Sequence, residues 1–199
     1  MPLAGIGTAA HATISLNPTS ACDFESIDSR FWAGVLQHLE AICAFTLPQA
    51  VSYDRVVEDS WTGGTWVAWG VQNRETPLRQ VKPGRWEFRC LDGCANVYLA
   101  IRAIVAAGLL GLEKKLDMTM KGCTRNPTRM SEKEKQEHGL RPMPGTIYKA
   151  LDKLKSDGEL TEKIGKELCE DYIVMKDTEQ NKLKAMGDEE NRKWLIERY

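Results

Sequence analysis

Residues 85–112 constrain this chain more than any other stretch. RWEFRC, which alternates charged and apolar side chains, leads through LDGC into a nearly unbroken apolar run from Ala95 to Leu112. A period of two is the mark of a strand with one buried face, and a continuous apolar run of this length is a buried helix or a membrane span. Asn96, Arg102 and two glycines interrupt the run. An arginine in mid-bilayer is costly and 18 residues is the lower limit for crossing, so the reading is a buried helix. Trp86, Phe88 and Cys90 are expected to pack on that following helix, which turns Arg85, Glu87 and Arg89 the other way.

The rest of the chain divides around this unit. Across 199 residues there are 27 basic and 28 acidic side chains, a net charge of −1. That balance argues against nucleic acid or an anionic membrane as the main partner. Residues 1–110 carry 8 basic and 10 acidic groups and residues 111–199 carry 19 and 18. A sparsely charged core builder therefore precedes a heavily solvated helical half. The N-terminus lacks the basic and apolar regions of a signal peptide. Six cysteines at 22, 43, 90, 94, 123 and 169 are scattered without zinc-site spacing, so they read as reduced structural thiols of a cytoplasmic protein.

Local patterns fill in the order. HATISL (11–16) alternates as a strand, and Phe31 to Phe45 has helical spacing stopped near Pro48. Ser52–Val57, Thr65–Val71, Thr76–Val81 and Arg85–Leu91 read as successive strands, with Gly63-Gly64 and Pro83-Gly84 as turns. Thr119 to Glu137 is a loop with a short charged helix. Ile147, Ala150, Leu151 and Leu154 form one helical stripe, and Gly158, Gly165 and Gly187 divide the remainder into helices. The class is α+β, an antiparallel sheet followed by helices, strand-rich over 1–92 with one helix and helical over 93–199.

The charged face of 85–90 is the candidate functional surface. Glu87 lies between Arg85 and Arg89, with Arg55, Arg74 and Arg79 on neighbouring strands. Guanidinium forks suit carboxylate and phosphate, and a carboxylate held among them stays ionised and available to a metal. The plainer alternative is a solvated sheet face with rim ion pairs. The tryptophans at 61, 66, 69 and 86 read as core rather than as a binding cage.

SYDRV (52–56), WGVQNRETPLR (69–79), RWEFRCLDGCANVYLA (85–100) and PMPGTIYKALDKL (142–154), in this order, resemble the C-terminal part of the glutamine synthetase catalytic domain. GIGTAAHATISL (5–16) is similar to the family's Gly-rich segment ending in His and then Ser-Leu. The resemblance implies an ATP-dependent ligase that phosphorylates the γ-carboxylate of glutamate and lets ammonia or a small amine displace the phosphate. It places His11 and Glu87 as ligands of Mg²⁺ or Mn²⁺. Arg55 and Arg89 fall where the family holds the glutamate carboxylates. Arg74 and Arg79 fall on nucleotide phosphate and the γ-glutamyl phosphate, as catalytic groups, with Arg85 also toward ATP. It further implies a homo-oligomer for the full-length protein.

Three departures qualify the resemblance. The family's other metal-binding glutamates and its small N-terminal β-grasp domain would lie upstream of this chain, so residues 1–199 alone are expected to be inactive. Trp61 stands where the family has a loop glutamate that closes the site and deprotonates ammonium. A tryptophan accepts no proton, though its ring can contact an amine cation. Thr13 stands where a second histidine is expected. The Trp61 exchange is similar to the glutamine synthetase-like branch of fungal developmental regulators and γ-glutamyl-amine ligases. The other reading is a non-catalytic binding or regulatory protein of the same family.

Overall fold

The computed structural model describes residues 9–17, 24–58 and 63–198. Its main sheet has four strands in the order β1-β5-β4-β3: β1 (Ala10–Ser15), β5 (Arg85–Leu91), β4 (Leu78–Lys82) and β3 (Trp69–Val71). β5 is central and antiparallel to both β1 and β4. It connects to β4 through Pro83-Gly84, where Gly84 adopts φ +72°, the type II turn that proline followed by glycine favours. A Cβ on Gly84 would stand 2.1 Å from the Phe24 ring, so the turn needs glycine for space as well as for its dihedral.

β3 and β4 form a parallel pair, although only residues 72–77 join them. Parallel neighbours ordinarily need a much longer crossover. Here β3 is three residues long, so the chain has little distance to retrace. Gln72 turns it with φ +55°, and Asn73 holds the return by accepting from the Glu75 N–H and donating to the carbonyls of Cys123 and Arg125. Thr65–Val71 is thus not one strand. It breaks at Ala68 into β2 (Trp66–Val67), which pairs with β6 (Arg141–Pro142), and β3.

The helices cover the apolar side of β5. α1 (Phe24–Gln37) and α2 (Leu39–Thr46) are separated at His38, where a single helix over 31–45 was expected. Trp86 stacks on Trp32 of α1, with ring centroids 5.0 Å apart, and meets Trp69 at 5.3 Å. Phe88 and Trp86 are fully buried. This face meets α1, through Trp32 and Asp28, and α2, and it shares one buried core with the helix that follows it. That helix, α3 (Val97–Glu113), lies along α1. The approach is close because glycines face each other: a Cβ on Gly34 would stand 2.2 Å from the Ala107 carbonyl, and one on Gly111 2.1 Å from that of Arg30. The two glycines inside the apolar run are helix-packing positions. Among the described residues no helix is long and apolar enough to cross a membrane.

The helical half follows the expected punctuation. α4 is Glu132–His138, α5 Ile147–Ser156, α6 Gly158–Ile164, α7 Lys166–Lys184 and α8 Asp188–Arg198. Asn96 and Thr146 cap α3 and α5, and the 147/150/151/154 stripe is buried. The segment around Ser52–Val57 is not a strand but a 3-10 helix, Ala50–Arg55. Gln49 opens it with a reciprocal cap to Ser52, and side chains of α7 fasten it: Gln180 donates to the Gln49 amide oxygen at 2.8 Å, and Gln49 donates to Glu179 at 3.2 Å. Local capping and these tertiary bonds override the alternation that suggested a strand.

Candidate functional site

The outer face of the sheet gathers three of the singled-out residues around the carboxylate of a fourth. Glu87 sits opposite Arg79 on β4 and Thr13 on β1. Its Oε2 accepts from Nη1 of Arg89 at 2.8 Å and from Nη1 of Arg79 at 3.1 Å. Its Oε1 lies 3.2 Å from Nδ1 of His11. The register between β1 and β5 shifts next to His11, two residues of β1 against three of β5. Such a bulge re-aims side chains. Arg89 shares the face of Glu87 but is 4% exposed, whereas Arg85 at the other end of the strand is open to solvent.

The electrostatics follow from this geometry. Burial pushes the Glu87 carboxyl up, but hydrogen bonds from Arg89 and Arg79 more than reverse that and hold it below the ordinary glutamate range. Glu87 is therefore ionised at neutral pH. Burial and the Arg89 guanidinium hold the His11 imidazole below its ordinary value, against the pull of Glu87, so His11 is neutral. Arg55 is 2% exposed, donates to the Leu91 carbonyl at 2.9 Å and has Asp92 as its nearest opposite charge. Arg55, Arg79 and Arg89 all act electrostatically on His11. The chain thus concentrates guanidinium charge behind one sheet face, fastened from the rear by α7 through the 3-10 helix.

The structure leaves other candidates outside this cluster. Arg74 is exposed on the 73–76 turn, and Arg85 lies about 13 Å along β5 from Arg89 at an ordinary strand rise. Trp61 falls outside the described residues. His38 is buried, with Nδ1 2.6 Å from Asp157, where it links the α1–α2 break to the start of α6. His138 bonds to the Glu134 carbonyl of its own helix. Trp86 is core, while Trp66 and Trp69 are partly buried against it or its small neighbouring cluster. Sequence reading did not find Gln72, Asp92 or the Gln49–Glu179–Gln180 network. The first has a visible signal only in retrospect, a glutamine at a chain reversal.

The spacing of His11 and Glu87 is that of an ion pair, and equally that of two neighbouring ligands of one cation. Two ligands about 2.1 Å from an octahedral metal at right angles to each other are about 3.0 Å apart, and the observed separation is 3.2 Å. A neutral imidazole beside an ionised carboxylate is the protonation state a metal needs. The pair would supply one edge of such a site; among the described residues no group of three or more candidate ligands is assembled.

Comparison with known proteins identifies the family. The family model for the catalytic domain of glutamine synthetase matches residues 4–199. Protein fluG of Emericella nidulans is 45% identical over 194 residues, which cover 97% of this chain and 22% of that protein. Glutamine synthetase of Methanocaldococcus jannaschii is 36% identical over 169 residues, 82% of this chain and 37% of that protein. The solved GmaS/ADP complex superposes with a TM-score of 0.77 at 23% identity, covering 96% of this chain and 46% of that one. The chain spans less than half the length of these relatives. With motif order and family match in agreement, the chain belongs to the glutamine synthetase family, and residues 4–199 fall within its catalytic domain.

Proposed function

We propose that this chain is the C-terminal part of the catalytic domain of an ATP-dependent ligase. The reaction would join glutamate to ammonia or a small amine through γ-glutamyl phosphate. The observation that carries the reading is Glu87, ionised between Arg79 and Arg89 with neutral His11 beside it. Transfer of a phosphoryl group to a carboxylate brings two anions together, and their repulsion is overcome by fixed cationic donors in a site with little water. Arg89, with Arg55 behind it, would take the glutamate carboxylates. Arg79 would take the transferring phosphoryl oxygens, joined by Arg74 and, on the nucleotide, Arg85. His11 and Glu87 would hold Mg²⁺ or Mn²⁺, which when bound supplies further neutralisation of phosphate charge. Ionised Glu87 also keeps the two guanidiniums apart and aligned before either anion arrives.

The chain by itself supplies one edge of the metal site, so it should bind nucleotide without turning over. A non-catalytic, anion-binding role of the same face is the second reading, favoured by that same two-ligand edge. Calorimetry with ATP and Mg²⁺ tests the shared part: detectable binding, abolished by both Glu87→Ala and Arg89→Ala, is expected. Binding unaffected by either change would overturn the site. γ-Glutamyl hydroxamate formation with ATP and Mn²⁺ separates the two readings. Product from the 199-residue chain would show that it needs no other part; product only from a longer polypeptide containing it would support the ligase reading as stated.

A further inference from the structure

Gln72 adopts φ +55°, a conformation shared among the described non-glycine residues only with Lys115. Glycine, asparagine or aspartate would reverse the chain after β3 with less steric conflict. What glutamine adds is an amide long enough to reach β4, and both ends of that amide are engaged. Its Nε2 donates to the Val81 carbonyl at 2.5 Å. Val81 is the residue passed over where the β4–β5 register shifts between Gln80 and Lys82, so the amide bridges the irregularity. Its Oε1 accepts from Nη2 of Arg79, and its backbone N–H donates to the Gln80 carbonyl at 3.0 Å.

Arg79 is therefore held from two sides. Glu87 takes Nη1 at 3.1 Å and Gln72 takes Nη2. A guanidinium gripped at both terminal nitrogens cannot rotate about its last bonds, which fixes the plane of its donor fork. Its Nε is buried without a hydrogen-bond partner among the described residues. Of the five N–H groups an arginine carries, those left over are presented in a set direction.

We infer that Gln72 is a positioning residue. It locks the Arg79 guanidinium in the plane that receives a phosphoryl anion, acting through the arginine rather than on the ligand. This rests on the reading above that Arg79 meets phosphate. The left-handed backbone is retained because the amide, not the turn, is what the position supplies.

Gln72→Gly and Gln72→Asn test this, because both residues suit the observed φ better than glutamine does. A role in the turn alone predicts that both variants melt at or above the wild-type temperature and bind pyrophosphate with Mg²⁺ as tightly as wild type. A positioning role predicts the same melting behaviour with about tenfold weaker pyrophosphate binding. It also predicts that the Arg79 Nε–H signal, assigned by ¹⁵N NMR, shows faster side-chain motion and hydrogen exchange in both variants. Wild-type affinity together with an unchanged signal in both variants would overturn the inference. If the wild-type chain binds no pyrophosphate, the functional reading of Arg79 fails, and the NMR measurement still decides the clamp: a mobile guanidinium in the variants supports it, and an unchanged one refutes it.

Discussion

Two carboxylates flank strand β5, one on each face, and the fold treats them in opposite ways. Glu87 on the outer face is gripped by Arg79 and Arg89 and is held below its ordinary ionisation range. Asp28, on α1 behind the inner face, is 6% exposed and accepts from the Trp86 indole N–H, 3.1 and 3.0 Å from its two oxygens. Burial raises it above the ordinary aspartate range, and the neighbouring neutral N–H donors, Trp86 foremost, only partly offset this. Neighbouring residues of one strand, Trp86 and Glu87, thus hold one carboxylate that prefers charge and serve one that resists it. The difference lies in the donors. Neutral N–H groups satisfy a carboxylate without compensating its charge, whereas guanidiniums compensate it in excess. Asp28 fastens the sheet to α1. Glu87 keeps a surplus of cations together, and that surplus has a use only when another anion arrives.

The largest effect should come from removing the outer carboxylate. Glu87→Gln takes the negative charge from between Arg79 and Arg89, beside buried Arg55, and breaking a buried charge pair costs about 3 kcal/mol. For a domain of this size that is a fall of about 10 °C in Tm. Because the folded Glu87 ionises below its unfolded value, its stabilisation is complete above the ordinary glutamate pKa. It is lost as pH falls through the depressed one. Thermal melts from neutral to acid pH should therefore show the gap between wild type and Glu87→Gln closing as pH drops. A gap constant with pH would mean that Glu87 matters for shape and not for charge.

Arg89→Met should be milder, about 1 kcal/mol, even though Arg89 is the more buried of the two. Glu87 keeps Arg79 and His11 as neighbours, and one of several crowded cations is gone. The same change should weaken ATP·Mg²⁺ binding at least tenfold. Loss of function with little loss of stability is what a site assembled against its own repulsion predicts. If Arg89→Met destabilises as much as Glu87→Gln, the guanidinium surplus is not stored repulsion, and the contrast between the faces fails.

How much of this was legible in the sequence differs between the two faces. Alternation in RWEFRC placed Trp86 and Phe88 inside and Glu87 outside, because a half-buried strand has one simple period. It also put Arg89 beside Glu87, where the two side chains meet, but the bulge opposite His11 is a property of pairing with β1 and leaves no local signal. Helix ends were readable from Pro48 and the dividing glycines, whose effects act within a few residues; the caps Asn96 and Thr146 came from the structure. The 3-10 helix bearing Arg55 was not readable, because its cap partner Gln49 is fastened by Glu179 and Gln180, some 130 residues away. The same limit explains why the close packing of α1 on α3 was not foreseen. Gly34, Gly108 and Gly111 draw α1 and α3 together, and a pattern of glycines shows close approach only once the partner helix is known.

The smallest effect, and the one that isolates the inner face, belongs to Asp28→Asn. The amide oxygen can still accept from the Trp86 indole, so the net change at neutral pH should stay below about 1 kcal/mol. The pH dependence carries the information. A carboxyl raised in the folded state favours folding fully below its unfolded pKa, and that contribution is lost as pH rises through the raised value. Asparagine has no such loss. The melting temperature of Asp28→Asn relative to wild type should therefore climb as pH rises from the ordinary aspartate range toward neutrality, a slope opposite in sign to that of Glu87→Gln plotted on the same axis. Parallel slopes would mean that Asp28 is charged as comfortably as Glu87. The indole and backbone donors would then be doing for one face of β5 what two arginines do for the other.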